Sequence, residues 1–229
     1  MHSKRGKLTI AIDGPAGAGK STVAKRLAKE LGYIYMDTGA MYRAFAWKVL
    51  RDGIELREET LQRELQETNI ELVERDGQLS IILDGIDVTD RIRTPELSQM
   101  ASKVSTLSTV RNRMVELQRA MGYGGGVVAE GRDIGTVVFP SADVKIYLDA
   151  SAQERERRRF EELKGQGKQI GLEETLKEMD ERDRRDKERA VAPLRRADDA
   201  TLIDSSHLSI DEVVDRIMEE IRDKVPAGQ

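Results

Sequence analysis

The chain has 229 residues, of which 38% are hydrophobic and 35% charged, a length sufficient for one sizeable core with insertions. Lys and Arg total 38 against 42 Asp and Glu, and the formal charge of -4 recommends neither nucleic acid nor an anionic membrane as a partner. The absence of cysteine excludes a disulfide framework, a thiol nucleophile and a thiolate metal site, and no apolar run approaches the length of a membrane span.

The first predicted strand covers residues 8–12 and runs into Gly14, Pro15, Ala16, Gly17, Ala18, Gly19, Lys20 and Ser21, a complete G-x-x-x-x-G-K-S phosphate-binding loop. Val23, Leu27 and Leu31 then recur at helical spacing until Gly32 ends the helix. A glycine-rich surface turn is the bland alternative, but a strand before the loop and a helix after it argue for a nucleoside triphosphate site. In that setting the backbone N–H groups curl around phosphate, Lys20 reaches the β- and γ-phosphates, and the Ser21 hydroxyl can ligate Mg²⁺.

Further short apolar runs at 33–36, 127–129, 144–148 and 201–203 bring the predicted parallel sheet to five strands. Helices are predicted over 40–50, over Pro95–Val104 behind a Thr94 cap, over 109–121 before Gly122, and over 210–221 behind a Ser209/Glu212 capping box. Between residues 69 and 88 the period changes: Ile70, Leu72, Leu79, Ile81 and Leu83 flank Asp76-Gly77, which reads as an antiparallel hairpin. No internal repeat, low-complexity tract or linker separates independent domains. The basic leader over residues 1–7 has no apolar signal core behind it, so a cytoplasmic protein is expected.

An arginine-rich stretch over 154–189 is broken in the middle by Gly165-Gln166-Gly167. Ser151 and Glu154 form a capping box for its first helix, and the second helix starts near Leu172. Arg182, Asp186 and Arg189 fall at i, i+4 and i+7, on one helix face. Taken alone, the stretch reads as a solvated charged hairpin. Beside a triphosphate site it also suits a lid that shields and neutralises a transferring phosphoryl group.

The remaining motifs separate the possible classes. Neither a D-x-x-G after the loop nor an N/T-K-x-D motif is present, which argues against a switch GTPase. Asp149 ends the 144–148 strand, where it could order a metal ion or cap the next helix. The 33–36 strand is followed by Asp37-Thr38-Gly39-Ala40-Met41-Tyr42-Arg43, and the 127–129 strand by Glu130-Gly131-Arg132-Asp133. Ligands of open α/β sheets bind beyond the carboxyl ends of strands, so Arg43, Arg132 and Asp133 are expected to converge near the loop. A second, arginine-lined anion site suits a kinase, which must hold its acceptor in line with the γ-phosphate.

These segments, together with Glu130-Gly-Arg-Asp-Ile-Gly-Thr-Val-Val-Phe-Pro140 and Glu181-Arg-Asp-Arg-Arg-Asp-Lys-Glu-Arg-Ala-Val-Ala-Pro193, resemble the bacterial cytidylate kinases over most of the chain. The resemblance implies an α/β fold: a P-loop nucleotide kinase core with a five-stranded parallel sheet flanked by helices, a small antiparallel hairpin insertion and a short helical lid. It also implies a single domain over 1–229, with a monophosphate-binding insertion over about 62–106 and a lid over about 155–189. The implied reaction is direct in-line transfer of the γ-phosphoryl group of ATP to CMP or dCMP, with Mg²⁺ at Ser21. Gly14 to Ser21, with Thr22, would bind ATP.

By the same resemblance Ser102 and Arg111 contact cytosine, with Asp133 close by. Arg43 and Arg132 take the acceptor phosphate, and Thr38 adds a polar contact. Arg182 and Asp186 hold the ribose, and Arg189 binds phosphate. Arg155, Arg158 and Arg159 are lid candidates, and Lys20, Arg132, Arg158 and Arg189 are the expected catalytic residues. His2 and His207 receive no chemical role. The expected partners are small-molecule substrates and no nucleic acid or membrane, with the chain a monomer. A P-loop kinase for UMP, AMP or shikimate, or a nucleotide-regulated RNA-binding protein, are the competing readings.

Overall fold

A computed structural model of the chain describes residues 7–75, 78–165 and 172–224. In chain order the elements are β1 (Thr9–Asp13), α1 (Lys20–Leu31), β2 (Ile34–Asp37), α2 (Thr38–Arg51), α3 (Glu58–Glu67), β3 (Ile70–Arg75), β4 (Gln78–Leu83) and β5 (Ile86–Asp87). Then come α4 (Pro95–Val104), α5 (Ser108–Met121), β6 (Val127–Gly131), β7 (Val144–Asp149), α6 (Ala152–Gly165), α7 (Leu172–Glu188), β8 (Thr201–Asp204) and α8 (Ile210–Lys224). A π-helical turn, Ile134–Val138, follows β6.

The main sheet has five strands in the order β2-β6-β1-β7-β8, all parallel, as the apolar runs predict. Its middle strand carries Ile10, Ala11 and Ile12, each fully buried. Such burial on both faces is why the strands read as unbroken apolar runs. Ile10 and Ile12 pack with Val23 and Leu27 of α1 and Val213 and Ile217 of α8. Ala11 faces the other way, with Ala129, Ile134 and Val115 of α5.

The segment between α2 and α5 carries two elements more than the sequence predicts. The predicted hairpin is present, with Ile70 opposite Leu83 and Leu72 opposite Ile81, and its Asp76-Gly77 turn lies outside the described residues. A third strand, β5, pairs through Ile82 with Asp87 and Leu83 with Ile86. Two residues carry no readable period. Helix α3 also escaped prediction: only Leu61 and Leu65 of its ten residues are buried, and Arg57 at its start makes no side-chain cap. Its amphipathic stripe was too narrow to stand out among charged residues.

Helix caps show where local chemistry suffices. Ser209 and Glu212 form both legs of the expected capping box on α8. Thr94 accepts from the Leu97 N–H as expected. The Ser151/Glu154 box forms only one leg, the Glu154 N–H donating to Ser151 Oγ, because Arg157 and Arg158 take the Glu154 carboxylate. Ser151, immediately before α6, therefore fills the capping place considered for Asp149, whose carboxylate accepts from the Ala150 N–H. Among the described residues no helix is long and apolar enough to cross a membrane. Residues 166–171, which include Gln166 and Gly167 of the predicted lid break, and residues 1–6 of the leader, with His2, lie outside the described residues.

Candidate active site

The sheet register sets the carboxyl ends of three strands side by side: Ile12 pairs with Glu130, and Asp37 with Glu130 from the other side. Beyond these ends the chain enters the phosphate loop, α2 and the π-helical turn. Lys20, Arg43 and Arg132 consequently line one open cleft of about 1070 Å³. The loop itself depends on its glycines. Gly14 has φ +149, and a Cβ there would stand 1.9 Å from the Leu148 carbonyl oxygen. At Gly17, φ is +74 and a Cβ would lie 2.7 Å from the Arg155 carbonyl oxygen.

In the half of the cleft lined by the phosphate loop, Lys20 is 5% exposed and its Nζ donates to the Pro15 carbonyl at 2.6 Å. Burial, and then the neighbouring Arg132 charge, push its ammonium down to about 7 from 10.5. The Ser21 hydroxyl donates to Glu130 Oε1 at 2.5 Å, and the Tyr35 hydroxyl donates to the same oxygen at 3.1 Å. Asp13 accepts from the Ile134 and Gly135 N–H groups at 2.8 and 2.7 Å, tying the end of β1 to the turn after β6. Burial outweighs those bonds and pushes the Asp13 carboxyl up to about 6.

In the half lined by α2, the end of β6 and α7, Asp37 caps α2 through the Ala40 N–H and holds Arg43 Nη2 at 3.0 Å. Thr38 Oγ1 donates to the Glu130 carbonyl at 2.8 Å. The predicted face of α7 is present, with Asp186 and Arg189 buried and Arg182 half-buried: Asp186 accepts from Arg132 Nε at 2.9 Å, with Arg182 at 4.0 Å and Arg189 at 3.9 Å. Burial raises the Asp186 carboxyl, but these three cations outweigh it and hold the group below its usual range. Asp133 is gripped by Arg111 at 2.7 Å and Arg189 at 3.2 Å. The Arg111 guanidinium also lies 5.6 Å from the Tyr42 ring centre.

Two polar atoms in this half are conspicuous. Ser102 Oγ and Tyr42 Oη are buried without a hydrogen-bond partner among the described residues, and both residues line the cleft. An unpaired buried hydroxyl costs free energy that a polar ligand can recover.

The three arginines expected in a lid fall into different places. Arg159 lines the main cleft. Arg158 lines an adjoining hollow of about 620 Å³ and donates to the Ala18 and Ser205 carbonyls. Arg155 lines neither and turns to Asp183 and the Ala16 carbonyl. Gly14 and Pro15 of the loop likewise line neither hollow.

Sequence reasoning assigned no role to Glu130, Tyr35, Tyr42 or Asp183. Glu130 and Tyr42 stood inside quoted motifs, and Asp183 stood three residues before Asp186, a spacing that sets both on neighbouring positions of one helix face.

A phosphate loop at the head of a five-stranded parallel sheet, opening on the same cleft as a second arginine-lined pocket, defines a P-loop phosphotransferase. Comparison with known proteins narrows the class. The family model described as "Cytidylate kinase" matches residues 10–223. A cytidylate kinase of Desulfitobacterium hafniense is 52% identical over 222 residues, covering 96% of this chain and 95% of the relative. One from Bacillus subtilis is 50% identical over 220 residues, covering 95% and 98% respectively. The chain belongs to the cytidylate kinase family. Among solved structures, an uncharacterized protein from Eubacterium ventriosum shares the fold, with a TM-score of 0.50 at 13% identity over 94% of this chain and 98% of that one.

Proposed function

We infer that the chain transfers the γ-phosphoryl group of ATP to CMP or dCMP, giving ADP and CDP or dCDP by direct in-line displacement. The observation that carries this reading is the shared cleft: Lys20 of the phosphate loop and the Arg43, Arg132 and Arg182 cluster open on one space, with unpaired Ser102 and Tyr42 hydroxyls at its acceptor side. Lys20 stabilises charge growing on the donor phosphates. Arg43 and Arg132 hold the acceptor phosphate, Thr38 adds a polar contact, and Asp186 with Arg182 takes the sugar hydroxyls. Arg189 serves phosphate. Ser102, Arg111 and Asp133 read the cytosine edge, since Asp133 can accept from an amino group while Arg111 donates to a carbonyl. The acceptor oxygen needs little base assistance, so positioning and charge neutralisation provide most of the catalysis.

The donor oxygens present suit Mg²⁺: the Ser21 hydroxyl with the buried Glu130 carboxylate against it offers hard oxygen ligands. When bound, Mg²⁺ would neutralise charge between the β- and γ-phosphates. Arg132, Asp133, Asp186 and Arg189 are largely buried and paired, which favours a small enclosed anion over an RNA backbone. We read the chain as a monomeric cytoplasmic enzyme of one domain, with its acceptor-binding insertion over about 62–106 and its lid over about 155–189.

An acceptor panel tests the assignment. With ATP as donor, CMP and dCMP should be the best acceptors, UMP weaker, and AMP and GMP poorer by about 10² or more in kcat/KM. Faster phosphorylation of AMP or shikimate would overturn it.

The depressed Lys20 ammonium makes a separate prediction. Bound triphosphate raises its pKa above the free value near 7, so ATP affinity is full below that pH and declines as pH rises through the bound value. Calorimetry in buffers of different ionisation enthalpy should show uptake of up to about one proton per ATP near pH 8. No uptake there would mean that Lys20 is already charged in the free enzyme.

A further inference from the structure

Asp183 and Arg155 form a buried pair that no substrate contact explains. Neither side chain lines the cleft or the adjoining hollow. Asp183 is 5% exposed, and the Arg155 side chain 13%. Both converge on one residue of the phosphate loop: Asp183 Oδ1 accepts from the Ala16 N–H at 3.0 Å, while Arg155 Nη1 donates to the Ala16 carbonyl at 3.0 Å. The same Arg155 Nη1 donates to Asp183 Oδ2, which closes the ring.

We propose that Asp183 and Arg155 are positioning residues that fix the phosphate loop to the bases of both lid helices, setting the loop geometry in which ATP is held for transfer. The assignment rests on the kinase reading above. Its physical basis is that Ala16 sits at the bend of the loop, between Pro15, whose ring fixes φ, and Gly17, whose positive φ marks a position where the backbone can turn freely. A carboxylate and a guanidinium gripping opposite ends of one residue remove that freedom. Both come from the lid, Arg155 from the first turn of α6 and Asp183 from α7, so the clamp also registers the lid on the donor site. Asp186, one turn along α7 from Asp183, holds Arg132. One helix therefore anchors the donor loop at one position and the acceptor arginine at the next turn.

The alternative is an ion pair that merely contributes to folding. Asp183→Asn keeps an acceptor for the Ala16 N–H and removes the charge that holds Arg155; Arg155→Met keeps the stem and removes both of its bonds. Each variant should raise KM for ATP about tenfold and lower kcat about tenfold, with KM for CMP within about twofold at saturating ATP. Because the two residues act on one stretch of backbone, the double variant should be no worse than the poorer single one. A lowered Tm with unchanged KM for ATP and kcat would reduce the pair to a folding contact, and additive kinetic losses would show that the residues act separately. Should one variant fail to fold, the other decides. Wild-type enzyme is assayed alongside with CMP: no turnover there would remove the kinase reading, whereas ATP affinities from calorimetry would still test the clamp.

Discussion

Lys20→Ala is expected to fold and to lose about 10²- to 10³-fold in kcat, the loss typical of a preorganised electrostatic stabiliser. The folding half of this expectation comes from the structure. In the free enzyme the Lys20 ammonium is buried, has one carbonyl partner, and lies in the field of Arg132 and Arg182. That environment disfavours its charged form, so removing it relieves the native state. The sign of the linkage follows. Lys20 titrates near 7 when folded and near 10.5 when unfolded, so the unfolded chain binds more protons between those values. Wild-type stability relative to Lys20→Ala should thus rise with pH through that window and be lowest below it. Thermal melts of both proteins at several pH values, with saturating-substrate turnover, check both halves. A folded variant with near-normal turnover would mean that Lys20 does not stabilise the transferring phosphoryl group.

How much of this site was legible in the sequence depends on the range of the interaction. The phosphate loop is contiguous, and its strand and helix flanks are read by local period, so Gly14 to Ser21 could be placed without a structure. The α7 face was legible for the same reason: Arg182, Asp186 and Arg189 are fixed relative to each other by helical spacing alone. The Ser209/Glu212 capping box needs only three residues of separation. By contrast, the Ala16 to Asp183 bond spans 167 residues, and the Ser21 to Glu130 bond spans 109. Those pairings exist because β6 lies next to β1 and α7 folds back over the loop, and no period records that.

Burial was the harder property to read. By charge content the 154–189 stretch looks like a solvated surface, and Arg157 with Glu154 and Glu161 behaves as one. Its inward face does not: Asp183, Asp186 and Arg189 are buried and paired with groups from the phosphate loop and the end of β6. The same composition thus serves two environments a few residues apart. The small β5 and α3 elements were missed for a related reason, since their formation follows from packing on β4 and α5 rather than from propensity.

The second large effect is expected at Arg132. Arg132→Met keeps most of the stem and deletes a cation that lines the cleft, in the field of Lys20 and against Asp186. Loss of charge neutralisation on the acceptor and transferring phosphoryl groups should lower kcat/KM for CMP about 10³-fold. Arg132→Lys should recover only part of this, because a point charge cannot reproduce a planar fork that holds Asp186 through one edge and leaves the other for the proposed phosphate contact. A second readout separates catalysis from architecture. The Arg132 charge is, after burial, the foremost influence lowering the Lys20 pKa, so in Arg132→Met that ammonium should titrate higher and the fall of ATP affinity with pH should begin at higher pH. Asp186 keeps Arg182 and Arg189 nearby, which limits the structural damage. Turnover within about tenfold of wild type, with an unmoved pH profile, would instead make Arg132 an ion-pair strut that holds α7 in place.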